Sequence, residues 1–128
     1  MAEVKVEYFE YGSPELVCNE LNRLTADLYY LASQLALAAR RQADAKTRLE
    51  TIEASLYLIF SDEAKTVEKT KAKVKSSREW IEASNAFNEA SVEFVEMKEK
   101  MRALEHRIQA LMEIARVMRS EINVTRQV

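Results

Sequence analysis

Beyond Pro14 the chain runs to Val128 without another proline, and its one glycine, Gly12, lies upstream. A stretch that long without either breaker has no cheap route to the repeated tight turns of β or α/β folds. It can build long helices, and the apolar spacing has their period. Val17, Leu21, Leu24, Leu28, Leu31, Leu35, Ala38, Ala45, Leu49, Ile52, Leu56 and Ile59 follow steps of four and three, with Gln42 the one polar member. A second seam runs through Trp80, Ala83, Phe87, Ala90, Phe94, Met97, Met101, Leu104, Ile108, Leu111, Ala115, Met118 and Ile122. Heptad seams of this kind pack one helix along another at a shallow angle. Two seams of equal length, 17–59 and 80–122, predict an all-α fold. It is a long, coiled-coil-like antiparallel two-helix hairpin with arms of roughly 65 Å at ~1.5 Å per residue.

Local signals set the expected boundaries within a single domain, 1–128. Ser13 is placed to cap, Pro14 to occupy the first helical position and Glu15 to meet the positive helix end, so the first helix spans 14–60. Ser61-Asp62-Glu63 reads as a stop, and Ser76-Ser77-Arg78-Glu79 has capping-box spacing for a second helix over 77–124. The tip between them, 61–77, is a short helix over Thr66–Lys75 with Val67 and Val74 turned inward, or an unbroken helix through Ser76. Residues 3–10 alternate Val4, Val6, Tyr8 with Lys5, Glu7, Phe9, the period of a strand with one apolar face. A lone strand has unpaired backbone groups, so this segment pairs with another copy or a partner, or serves as a docked or loose arm.

Most enzymatic chemistry has no place to sit here. A chain with one glycine cannot build nucleotide-binding or nucleophile-elbow loops, and none of their motifs occurs. The single cysteine, Cys18, reads as a small buried residue near a helix start, and a reducing cytoplasmic setting suits it. His106 falls on the polar side of the second seam without metal-ligand spacing, and Glu105 is adjacent to it rather than three residues away. The expectation is a non-enzyme with no cofactor and no metal. No apolar run has signal-peptide or membrane-span length, so no membrane role is expected.

Charge is divided unevenly along the chain. Residues 1–17 carry −3 (Glu3, Glu7, Glu10 and Glu15 against Lys5), whereas 64–78 carry +5 (Lys65, Lys69, Lys71, Lys73, Lys75 and Arg78 against Glu68). Such a basic tip can neutralise nucleic-acid phosphates, and several tips in one assembly would multiply the attraction. No aromatic residue is interleaved with these lysines, so binding there would be sequence-neutral and salt-sensitive. The bland alternative is a solvated lysine-rich turn. Arg40, Arg41, Lys46 and Arg48 add cations to the outer face of the first helix. Trp80 reads as seam packing or as a stacking platform at the root of the tip. Leu16, Tyr29, Tyr30 and Leu37, with Ala110, Met112, Ile114 and Val117, widen the apolar surface at the other end. Self-association through Val4, Val6, Tyr8, Tyr29, Tyr30, Leu37, Met112, Ile114 and Val117 is the expected remedy.

The stretches Leu28-Tyr29-Tyr30-Leu31, Lys46-Thr47-Arg48-Leu49-Glu50 and Leu111-Met112-Glu113-Ile114-Ala115-Arg116-Val117-Met118-Arg119 give the chain a resemblance to the small recombination mediators of tailed phages, the UvsY type. The resemblance implies a phage-encoded homo-oligomer, ring-forming, in the host cytoplasm. It would bind single-stranded DNA, with Lys46 and Arg48 as contacting residues, and help load a recombinase in competition with a single-strand-binding protein. The alternative is a structural or chaperone-like coiled-coil adaptor or assembly protein with no nucleic-acid role.

Overall fold

The computed structural model describes residues 13–127, with side chains through residue 122. Three helices account for nearly all of them: α1, Pro14–Ser61; α2, Val67–Ser76; and α3, Arg78–Gln127. The protein is therefore all-helical, with three helices rather than two. There is no strand among the described residues, and the alternating segment with Val4, Val6 and Tyr8 lies outside them.

Each helix end has a local cause. The Ser13 hydroxyl accepts a hydrogen bond from the Leu16 amide at 3.2 Å and its carbonyl accepts from Val17 at 3.2 Å, with Pro14 opening α1. At the far end the Phe60 carbonyl accepts from both Glu63 and Ala64, at 3.1 and 3.0 Å, and the helix stops. Thr66, in extended conformation, then caps α2 by accepting from the Lys69 amide at 3.2 Å. The break before α3 is a single residue. Ser77 is extended (φ −67°, ψ 137°), its N–H donates to Val74 at 3.1 Å, and its carbonyl accepts from Ile81 at 3.0 Å. Ser77 thus ends one helix and begins the next. Ser76, placed by its spacing in a capping box, instead belongs to the last turn of α2 and donates its hydroxyl to the Lys73 carbonyl at 2.9 Å.

The described chain divides into two compact units, the first from 13–33 and 99–127, the second from 34–98. In the first, Val17, Leu24, Leu111 and Met118 are buried. Glu20 of α1 reaches Arg107 of α3, while Tyr30 and Leu31 share a groove with Lys100 and Leu104, so the two segments run in opposite directions. In the second, Arg41 donates to Glu93 at 2.8 Å and Arg48 and Ile52 share a cleft with Glu79 and Ala83, again antiparallel. Gln42, the polar exception in the first seam, donates to the Ser91 hydroxyl at 3.1 Å, which itself donates to the Phe87 carbonyl at 2.9 Å. A single buried-face polar pair of this sort holds register, because sliding by a turn leaves it unsatisfied.

Every expected seam residue from Val17 to Leu56 and from Trp80 to Met118 is buried or half-buried, and the seams fail only at their ends. Ile59 is 58% exposed while Tyr57 and Phe60 turn partly inward. A helix with 3.6 residues per turn drifts ~20° per heptad from a strict seven-residue seam, which carries Ile59 outward. Ile122 is also exposed. In α2 the inward pair is Thr70 and Val74, each at 2% exposure, whereas Val67, expected inward, is 57% exposed because only the later turns of this helix are covered. Among the described residues no helix is long and apolar enough to cross a membrane.

Truncating Leu24 to Ala should cost about 2–5 kcal/mol in urea unfolding, the range for a buried leucine left as a cavity. Thr66→Ala should cost about 1 kcal/mol, the worth of a helix cap, and show itself as faster amide exchange across α2.

Candidate nucleic-acid interface

Helix α2 is held by its own inner face. With Thr70 and Val74 buried, the four lysines of the helix fall into two rows at i,i+4 spacing, Lys69 with Lys73 on one flank and Lys71 with Lys75 on the other. Thr70 is satisfied internally, its hydroxyl donating to the Thr66 carbonyl at 3.0 Å, so burying it leaves no unmet polar group. All of the cations singled out from the sequence, Lys46, Arg48, Lys65, Lys69, Lys71, Lys73, Lys75 and Arg78, are exposed and belong to the second unit.

Their availability differs. Lys73 lies 3.5 Å from Glu63, and Arg78 donates to Glu82 at 3.0 Å. Arg48 lines a cleft with Glu79 and Glu82, an acidic setting that competes with any phosphate. Lys46, Lys65, Lys69, Lys71 and Lys75 take part in no ion pair among the described residues. Exposed pairs of the first kind are worth little, so Lys73 and Arg78 can exchange partners at small cost. Trp80 is half-buried in its seam, and its indole N–H is buried without a hydrogen-bond partner. Its position gives no exposed ring for base stacking.

The residues expected to mediate self-association separate into those described and those not. Tyr29 and Tyr30 are 77% and 66% exposed, and Met112 and Val117 are exposed on α3 in the same unit. Ile114 is half-buried there, and Leu37 is exposed in the second unit. Cys18, expected to be buried, is exposed. Among the described residues no cluster of His, Cys, Asp or Glu could hold a metal ion.

Two features escaped the sequence reading. One is a second apolar patch, a shallow pocket lined by Ala54, Tyr57 and Leu58 together with Glu50 and Glu53; the outward turn of Leu58 and Ile59 depends on helix phase. The other is a charge cluster in the first unit. Arg23 donates through Nε to Glu20 at 3.0 Å and through Nη2 to its other oxygen, and Arg107 approaches from α3 at 3.7 Å. The hydrogen bond from Arg23, helped by the charges of Arg23 and Arg107 and opposed by desolvation, holds the Glu20 carboxyl below its ordinary value. The i,i+3 spacing of Glu20 and Arg23 was visible in the sequence, whereas Arg107 arrives from a distant segment.

No protein-family model matches the chain, and neither a curated protein nor a solved structure matches it.

Because the folded-state pKa of Glu20 is depressed, its stabilising contribution is complete above the unfolded pKa of ~4.3 and is lost as pH falls through the lower folded value. Glu20→Gln should therefore lower Tm at pH 7, with the gap to the parent closing as the pH is taken below 4, read by thermal unfolding across a pH series.

Proposed function

We propose that this chain is a non-enzymatic, self-associating antiparallel helical hairpin that binds single-stranded DNA through α2 and serves as an accessory of recombination. The single observation that carries the reading is a set of exposed lysines that take part in no ion pair among the described residues, Lys69, Lys71 and Lys75 on a helix whose inner face is locked by Thr70 and Val74, and Lys65 just before its cap. Fixed cations on a rigid element attract a polyanion without the entropic cost of ordering a loose tail. The opposed running of α1 and α3 in each unit supports the hairpin, and the exposed Tyr29, Tyr30, Met112 and Val117 of the first unit support self-association. Each copy added to an assembly then contributes its own lysine rows to one strand, which raises avidity without new contacts. Lys46 joins them as an exposed cation of the second unit that takes part in no ion pair among the described residues. The resemblance to the UvsY type supplies the partners of this proposal, a recombinase to be loaded and a single-strand-binding protein to be displaced.

A second reading, an adaptor without a nucleic-acid role, is favoured by the acidic-rimmed patch of Ala54, Tyr57 and Leu58, where Leu58 is 71% exposed. Anisotropy of a labelled thymidine oligomer across a salt series separates the two. Binding at low salt should weaken with a log–log slope of about −0.7 per phosphate neutralised. Replacing Lys71 and Lys75 together by Glu should reduce affinity more than tenfold and make the slope shallower by about 1.4 units, the share of two lost phosphate contacts. Absence of binding at low salt overturns the nucleic-acid reading and leaves the adaptor.

A further inference from the structure

Within the first unit, Asp27, Tyr30 and Leu31 of α1 and Lys100, Ala103, Leu104 and Ala110 of α3 enclose a groove of about 740 Å³. Its floor is aliphatic. Its rim carries Lys100 and Arg107 against one carboxylate, Asp27, with His106 beside them. Arg107 is already engaged by Glu20, but Lys100 takes part in no ion pair among the described residues. Among the described residues nothing covers this trough with apolar walls and a cationic edge, and it favours an occupant that is apolar on one side and acidic overall.

The chain contains such a segment next door. The residues before Ser13 include Glu3-Val4-Lys5-Val6-Glu7-Tyr8-Phe9-Glu10, which carries −2 and whose alternation would put Val4, Val6 and Tyr8 on one side of the run when extended. We infer that this segment docks in cis into the groove of its own first unit, with Val4 and Val6 over Tyr30 and Leu31.

Reach supports the assignment. From Ser13 to Tyr30 is about 25 Å along α1 at ~1.5 Å per residue, and an extended chain covers that in about eight residues at ~3.3 Å each. Counting back eight from Ser13 arrives at Lys5, between Val4 and Val6. Charge supports it as well, since a run carrying −2 is complementary to a rim that holds Lys100 and Arg107. A segment held in this way covers aliphatic area that would otherwise face water and is withdrawn from strand pairing between copies. Self-association then has to use helical faces such as Tyr29, Met112 and Val117. The inference is independent of nucleic-acid binding.

A nitroxide attached to the full-length chain at Lys5→Cys, in a Cys18→Ser background, tests it by loss of amide peak intensity. Cis docking predicts loss at 27–31 and 100–110 in singly tagged protein, and none when tagged unlabelled chains are mixed with untagged isotope-labelled ones. Lys100→Glu with Ala103→Glu should restore the intensities while circular dichroism reports unchanged helix content, and raising the salt should restore them partly. Loss at the same residues that persists in the mixed sample, scaled by the share of tagged chains, would assign the groove to the arm of a second copy and overturn the cis assignment. Loss centred on 65–75, or no loss anywhere, overturns it as well.

Discussion

Burial of aliphatic side chains along seams of alternating three- and four-residue steps is the interaction on which the rest of this protein depends. Each buried Leu, Val or Met contributes about 1.5–3 kcal/mol, and among the described residues neither a disulfide nor a metal cluster supplements it. Cover is thin. Among the described residues eight apolar side chains are buried, Val17, Leu24, Ala38, Leu56, Val74, Ala83, Leu111 and Met118, while seam members such as Leu28, Leu35, Met97 and Leu104 are only half-buried. A helix covered on one side by one partner cannot do better. The apolar residues that lie just off the seams, Tyr29 and Met112 among them, remain open to water for the same reason and drive the proposed self-association.

Burial alone would tolerate slippage, since a seam of similar residues packs nearly as well one heptad along. Polar pairs across the helices remove that freedom. Gln42 to Ser91 and Arg41 to Glu93 tie α1 to α3 in the second unit, and Glu20 to Arg107 does so in the first. Their net worth as bonds is small, but a shifted register would strand Gln42 on an apolar face without a partner. The one interruption in the first seam is thus the residue that selects its alignment.

The basic surface arises from two short-range events in the backbone. Thr66 starts α2 and Ser77 ends it, and between them Thr70 and Val74 turn the helix so that its lysines flank the buried line in two rows. A continuous helix through Ser77 would have placed the same lysines around a different axis. Composition made the region basic; the single extended residue at Ser77 decides which way the cations face, and neighbouring carboxylates engage two of them. Glu63 takes Lys73 and Glu82 takes Arg78, while Lys65, Lys69, Lys71 and Lys75 take part in no ion pair among the described residues.

Helix content, the capped start at Ser13-Pro14 and the positions that pack were determined by the sequence itself. They follow from local rules, namely missing breakers, a capping hydroxyl and apolar periodicity, that need no knowledge of distant residues. Tertiary structure decided what depends on helix phase and on who arrives from elsewhere in the chain. Ile59 and Val67 had the right spacing yet face outward, and Thr70 had the wrong polarity yet is buried with its hydroxyl satisfied by Thr66. The location of the helix boundary at Ser77 rather than Ser76 was equally illegible, because both serines offer the same hydroxyl. Arg107 beside Glu20, the carboxylates around Arg48 and the groove above Leu31 and Leu104 bring together residues dozens of positions apart. Spacing along a chain carries no information on such meetings until one helix is laid against the other in a fixed register.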